Sequence, residues 1–402
     1  MKITGISPWL VAVPNYEPGI LFSQGQPGSE ASSAVPTRQY VFVQVDTDEG
    51  ISGWGEITTY PGPVANRAVC SVVREVAPLL IGHDASRIED AWHKVFRTFT
   101  YVGTRGFTTA VASGIDIALW DIRGKALGLP IYDLLGGAVR ESIAVYTHFP
   151  YARSAEESAQ LALVPVRDGI TAIKTDPFWE EMGRTGTRYL DGNISAAGEQ
   201  KGVDIIAAIR EAVGPDIEIL IDAHALYNVP TAIRLANRLA PYNITWFEEP
   251  VPPESYHALR QVREQVPTRI CVGERLHTRF DFVPVLEQRL ADFIMPDVTW
   301  TGGISELKKI STMAEAYYVP VSPHDASGPI NVMAGAHVMM TVPNFYKLET
   351  MRSKLTAYDA FITEPLVCID GNLQVPRTPG LGIEMNVEYL RAYAVPEFSG
   401  PG

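Results

Sequence analysis

The chain has 402 residues, of which 46% are hydrophobic and 20% charged, with a formal net charge of −13 and a pI near 5.1. The length exceeds one average domain and the composition is that of an ordinary soluble globular protein, so two domains are expected, one of them large. The acidic balance argues against nucleic acid or an anionic membrane surface as partner, and an anionic substrate would need a local positive centre such as a metal.

Taken in order, MKITGISPWLVAVP reads as a first strand rather than a signal peptide. A polar, Gly/Pro/Ser-rich segment from Asn15 to Pro36 follows; it is too long for a tight turn and reads as a lid or surface excursion. YVFVQVDTDEGISGWGEI then predicts a β-hairpin around Thr47-Asp48-Glu49-Gly50. Helical periodicity runs through VANRAVCSVVREVAPLLIG, SRIEDAWHKVFRTF and TTAVASGIDIALWDIRGKALG, and Gly128 and Pro130 stop the last of these. Strands followed by helices make an α+β unit. No stretch reaches the ~18 to 20 uninterrupted apolar residues of a membrane span. Cys70, Cys271 and Cys368 have neither pairing nor zinc spacing, which fits buried, inert thiols in a reducing cytoplasm.

From Ser142 a βα rhythm begins. SIAVYTHF predicts its first strand and GITAIKTDPF its second, whose Lys174 and Asp176 lie two apart and share a face. The polar, Gly-rich stretch between Phe178 and Gln200 reads as an insertion before the helix KGVDIIAAIREAV. Further helices are predicted in VPTAIRLANRLAP, YHALRQVREQ, FVPVLEQR and ISELKKISTMAEAY. Acidic and histidine residues end the short apolar runs: Asp222 in IEILIDAHALY, Glu248 in ITWFEEP, Glu274 in RICVGERL, Asp297 in DFIMPDVTW, His324 in VPVSPHDASG and Glu349 in FYKLETM. Their intervals are 26, 26, 23, 27 and 25 residues. One βα unit consumes roughly 25 to 30 residues, so each interval fits one unit. Six such ends suggest the C-terminal rim of a parallel β/α barrel, where barrels of this kind keep their chemistry. After Glu349, CIDGNLQVPRTPGLGIEMN returns to strand and turn character and is expected to pack on the first domain.

Asp222, Glu248 and Glu274 converge on one point if their strands are neighbours, and oxygen-only ligation suits a hard divalent cation, Mg²⁺ first and Mn²⁺ second. Glu249 has the opposite strand parity and reads as a structural ion-pair or hydrogen-bond residue. Asp297 and His324 end adjacent strands, so the carboxylate could fix the imidazole tautomer and raise its basicity, making a base for near-neutral pH. His224 lies two residues beyond Asp222, on the same face as a ligand. Lys174 and Asp176 fit either a substrate-facing pair or a buried structural ion pair. His148, Arg275, His277 and Trp300 lie near strand ends, where substrate contact and burial fit equally.

These residues together resemble the mandelate racemase subgroup of the enolase superfamily, in the order Asp, Glu within WFEEP, Glu within GER, Asp within MPD and His within SPH. GWGE (Gly53 to Glu56), ALWDIRGKALGLPIYDLLGG (Ala118 to Gly137) and DGNLQVPRTPGLGI (Asp370 to Ile383) are similar to its other motifs. The resemblance implies a modified (β/α)₇β TIM-type barrel over residues 139–355, and an α+β capping domain over 1–138 completed by residues 356–402. It also implies Mg²⁺ on Asp222, Glu248 and Glu274, proton abstraction α to a carboxylate, a His324–Asp297 dyad, and a homo-oligomer, often an octamer. One departure matters. Racemases of the subgroup carry Lys-x-Lys on the second strand, where this sequence has Lys174-Thr175-Asp176, and it supplies His224 instead. That combination is similar to sugar-acid dehydratases of the galactonate type.

The expectation is therefore dehydration of an aldonic or aldaric acid to a 2-keto-3-deoxy acid. His324 takes the C2 proton and His224 protonates the leaving 3-hydroxyl; Lys174, Asp176, Glu349 and the cap-loop Tyr60 are expected to contact substrate. An epimerase or cycloisomerase on the same fold, and a non-catalytic binding protein descended from such an enzyme, are the alternatives.

Overall fold

The first apolar run forms β1 (Ile3–Pro14), which pairs antiparallel with β2 (Thr37–Thr47); β2 turns through Gly50, at φ 75°, into β3 (Ser52–Glu56). The computed structural model describes residues 1–14, 37–58, 63–150, 154–179, 191–351 and 355–400. The expected lid from Asn15 to Pro36, Tyr60 with its neighbours 59–62, and residues 180–190 of the insertion lie outside them. Helices α1 (Pro63–Leu80), α2 (Ile88–Thr98) and α3 (Phe107–Leu127) cover the sheet, burying Leu10, Val43, Val69, Val95 and Leu119 in one core.

The GWG of β3 has a packing reason. A Cβ on Gly53 would stand 2.1 Å from the Ala118 carbonyl oxygen, and one on Gly55 1.9 Å from that of Gly114. Only glycine lets the strand lie directly on α3, and that close approach fixes where the next residue, Glu56, emerges. The opposite side of α3 meets the barrel, where Trp120 donates its indole N–H to the Ser305 hydroxyl at 2.9 Å and that hydroxyl donates to Asp116 at 2.6 Å.

The barrel strands are β4 (Ile143–His148), β5 (Ala172–Thr175), β6 (Glu218–Asp222), β7 (Trp246–Glu248), β8 (Ile270–Val272), β9 (Phe293–Ile294), an extended segment at Val321, and β10 (Leu348–Thr350). Parallel pairs run from β4 to β9, Val321 bridges Ile294 and Phe345, and β10 pairs with β4, which closes the ring. Seven α-helices, from Ala155–Arg167 to Pro329–Met339, intervene between β4 and β10 among the described residues. This is the modified (β/α)₇β architecture. Tyr146, Leu220, Trp246, Cys271, Phe293 and Met295 fill the interior beneath the rim. No helix among the described residues is long and apolar enough to cross a membrane.

Four expectations need correction. The helix after the insertion starts at Ala196 rather than near Lys201, because Ser195 accepts the Gly198 amide at 3.0 Å and caps it. The helices Ala155–Arg167 and Pro329–Met339 have no counterpart in the pattern reading; the second is buried on every residue and so shows no polar stripe. The C-terminal segment packs on the cap as expected, the Phe361 ring 4.8 Å from that of Tyr40 and the Leu381 amide donating to Asp121 at 2.9 Å, but not only there. Its strands β11 (Cys368–Ile369) and β12 (Asn372–Leu373) extend the barrel sheet at the start of β4, and only β13 (Ala394–Ser399) joins β1. Cys70 and Cys271 are buried, but Cys368 is exposed because β11 is the outermost strand of that extension.

Candidate active site

The register of three neighbouring strands builds the centre. Asp222 and Glu248 are paired residues of β6 and β7, and Glu248 pairs with Cys271 of β8, past whose end Glu274 follows. Asp222, Glu248 and Glu274 each bring one oxygen to within 4.8 Å of the others, and all three are buried. Burial and the Asp222 charge push the Glu248 carboxyl well above the ordinary carboxylate range, against the pull of Lys174. Burial would raise Asp222 too, but His224 and Lys174 outweigh it and hold that carboxyl well below its usual value. A crowded, all-oxygen, negatively charged set of this kind fits a hard divalent cation.

Lys174 lies beneath this set. Its ammonium is 2.6 Å from Glu248, 2.7 Å from Glu349 and 3.3 Å from Asp222. Burial would lower it, but those three carboxylates hold it well above the ordinary lysine value. Glu349 also accepts from His148 at 2.6 Å and from the Asp325 amide at 3.3 Å. The Lys174 side chain is 1% exposed and that of Glu349 0%, against 14% for His224 and 8% for His324, so both histidines are more open than the Lys174–Glu349 pair. Of the two readings of Lys174 and Asp176, Lys174 takes the buried ion-pair form, and its partners are the rim carboxylates rather than Asp176.

Asp176 belongs to a different pair. Its Oδ2 is 2.9 Å from His224 Nδ1, and its Oδ1 accepts the Phe178 amide at 2.9 Å. On the far side of the carboxylate row, Asp297 Oδ2 is 2.7 Å from His324 Nδ1. His224 Nε2 lies 3.4 Å from Asp222, and His324 Nε2 lies 3.3 Å from Glu274. Two carboxylate–imidazole dyads therefore flank the metal-type cluster, each with Nδ1 turned to its aspartate and Nε2 toward the centre. Burial would lower both imidazoles; Asp222 and Asp176 outweigh it to raise His224, while Glu349, Glu274 and Asp297 raise His324 to about 9.

Strand parity does not explain His224, because β6 ends at Asp222. His224 and Ala225 instead adopt left-handed φ of 50° and 57°. Asp222 Oδ1 accepts the His224 amide at 2.8 Å, and the Ala225 amide donates to the Glu249 carbonyl at 2.8 Å. Backbone of this kind costs about 1–3 kcal/mol per residue and persists where the surroundings fix it. Glu249 accepts the Gly273 amide at 2.8 Å and lies 3.7 Å from Arg275. Arg275 also pairs with Glu274. His277 is the N-cap position of the helix Thr278–Glu287, and the Trp300 ring lies 5.6 Å from that of His324.

Asn331, which no sequence motif marks, donates from Nδ2 to both oxygens of Asp297 at 3.2 and 3.3 Å. It sits in the wholly buried helix Pro329–Met339, and nothing in its local sequence separates it from core. Glu56 was visible only as the end of a motif; it accepts from the Thr58 hydroxyl at 2.9 Å and from the Asn331 amide at 3.1 Å.

The described site thus sets three ligand-type carboxylates at the rim of a parallel barrel, with a His–Asp pair beside them. Residues 22–136 match the mandelate racemase / muconate lactonizing enzyme N-terminal domain, and residues 156–390 match the enolase C-terminal domain-like family. The chain is 36% identical to a D-galactonate dehydratase of Pectobacterium atrosepticum, over 90% of this chain and 94% of that one. It is 33% identical to a D-galactarolactone cycloisomerase of Agrobacterium fabrum, over 92% and 95%. Among solved structures, a member of the enolase superfamily from Salmonella Typhimurium superposes with a TM-score of 0.85 at 32% identity, covering 97% of each chain. The chain belongs to the mandelate racemase / muconate lactonizing enzyme family of the enolase superfamily.

Proposed function

We propose that this chain dehydrates a sugar acid, an aldonic or aldaric acid, to the 2-keto-3-deoxy acid. The observation that carries the reading is the second dyad, Asp176–His224, across the carboxylate row from Asp297–His324. Dehydration needs a base at C2 and an acid at the 3-hydroxyl, because hydroxide leaves only once protonated. A divalent cation held by Asp222, Glu248 and Glu274, Mg²⁺ first and Mn²⁺ second, would supply positive charge to the substrate carboxylate as negative charge develops on its oxygens.

His324 Nε2 takes the C2 proton, its other nitrogen held by Asp297. The C2–H electron pair passes into the carboxylate to give the enediolate, which collapses to form the C2=C3 bond as the C3–O bond breaks. His224 Nε2 gives its proton to the leaving oxygen, which departs as water, and the resulting enol gains a proton at C3 to become the ketone. Asp176 keeps His224 turned so that Nε2 faces the departing group. Lys174 and Glu349, buried below, hold the ligand carboxylates in place. Relatives named for galactonate, gluconate and xylonate dehydration support the same reading.

Incubation with Mg²⁺ and a panel of aldonic and aldaric acids, assayed for 2-keto acid, tests it. At least one substrate is expected to give keto product. The cycloisomerase relative favours a second reading, cycloisomerisation or epimerisation by the same base. Solvent deuterium at C2 of recovered substrate, without keto product, would select that one.

A further inference from the structure

The segment Glu56–Thr58 of the cap enters the barrel at the His324–Asp297 pair. Asp297 is clamped on three sides. Its Oδ1 accepts from the Thr299 amide and the Thr299 hydroxyl, each at 2.7 Å; Oδ2 faces His324 Nδ1 at 2.7 Å; and Asn331 Nδ2 spans both oxygens. Asn331 is the third residue of the helix Pro329–Met339, whose own sequence leaves its start uncapped. Gly328 at the N-cap makes no side-chain cap bond and Pro329 has no amide hydrogen to donate. The Asn331 amide is instead taken up by Glu56 Oε2 at 3.1 Å, a carboxyl oxygen brought from the other domain to an amide that the helix start leaves open.

Glu56 is 0% exposed, and burying a carboxyl costs free energy unless its hydrogen bonds are met. Its two oxygens accept from Asn331 and Thr58. The same cap segment makes a second contact with the dyad: the Thr58 carbonyl accepts the Trp300 indole N–H at 2.8 Å, and the Trp300 ring packs 5.6 Å from His324. Room for the Glu56 carboxyl depends on Gly328, where a Cβ would stand 2.7 Å from Oε1 and 3.1 Å from Tyr40 Cδ1.

We propose that Glu56 is a positioning residue for the base: by capping the helix that carries Asn331, it fixes Asp297 and through it the His324 ring, so that docking of the cap sets the geometry of proton abstraction. The catalytic consequence rests on reading His324 as the base, whereas the positioning itself does not. Two readouts keep these apart.

The first is proton NMR of the full-length protein with ¹⁵N-labelled histidine, following the Nδ1–H resonance of the His324–Asp297 pair. The chain has eight histidines, so a His324→Asn control identifies that signal. Glu56→Leu and Gly328→Ala are expected to broaden or shift it, and Glu56→Gln, which keeps an acceptor for Asn331, is expected to retain it. Gly328→Ala removes no polar group; Gly328 has φ of −121°, open to alanine, and the added Cβ presses first on the Glu56 carboxyl and next on the Tyr40 ring. The second readout is C2 proton exchange on the best sugar acid, expected to fall about 10- to 100-fold in the Leu and Ala variants, with Mg²⁺ affinity by calorimetry unchanged.

An unaltered His324 resonance in both Glu56→Leu and Gly328→Ala overturns the proposal. So does a change that follows loss of Mg²⁺ affinity and melting temperature, which would make Glu56 a fold residue alone. If the resonance moves as expected while C2 exchange does not, the positioning stands and the base assignment falls.

Discussion

His224 joins the site through a turn that strand alternation does not describe. The Asp222 side chain takes the His224 amide, two left-handed residues reverse the chain, and Asp176 arriving from β5 holds the ring. Position 224 is therefore bound to both neighbours of the reaction, the ligand Asp222 and the dyad partner Asp176. On the proposed mechanism the two histidines fail differently when replaced. His324→Asn is expected to lose C2 exchange and keto product together, by roughly 10²- to 10⁴-fold. His224→Asn is expected to lose keto product by a similar factor while C2 exchange persists. Equal loss of both activities in the two variants, measured by NMR of substrate and product, would contradict the separate roles.

At the scale of elements, the barrel was legible because each strand end carries a polar residue at a nearly constant interval, a period that short strands do not obscure. The convergence of Asp222, Glu248 and Glu274, and the pairing of Asp297 with His324, follow from that period. What the pattern could not supply is tertiary. The partners of Lys174 come from β6, β7 and β10, distant in sequence. The helix Pro329–Met339 is apolar all round because barrel and cap both cover it, so neither it nor Asn331 left a periodic signal.

That helix carries its own test in His337. Its Nδ1 accepts the Tyr132 amide at 3.3 Å and its Nε2–H donates to the Leu381 carbonyl at 2.9 Å, an arrangement open only to the neutral ring. Burial lowers it to about 4, against the pull of the Leu381 carbonyl. Between pH 6.5 and 4 the unfolded chain thus binds the proton that the folded chain refuses, so stability falls as pH drops through that window. The loss is on the order of 3 kcal/mol once pH is below 4. His337→Gln should flatten that part of the profile in denaturant titrations; an unchanged slope would remove His337 as the cause.

For the whole molecule, two domains meet at one rim, with the cap supplying Glu56 and Thr58 to the loops that bear Asp297 and His324. Asp222 and Glu248 end two strands and Glu274 follows a third, so a cation held by them would tie separate parts of the ring together. Mg²⁺ at 100 times its dissociation constant should stabilise the fold by about 2.7 kcal/mol. This would be read as a rise in melting temperature that a chelator reverses and that Glu248→Gln abolishes. A rise preserved in Glu248→Gln would place the cation elsewhere.

The most direct test of the central claim is the reaction with Mg²⁺ in D₂O on the sugar acid that the panel identifies, followed by NMR of the product. The mechanism predicts a 2-keto-3-deoxy acid carrying one solvent deuterium at C3. Recovery of substrate deuterated at C2, with no keto acid formed, would contradict it.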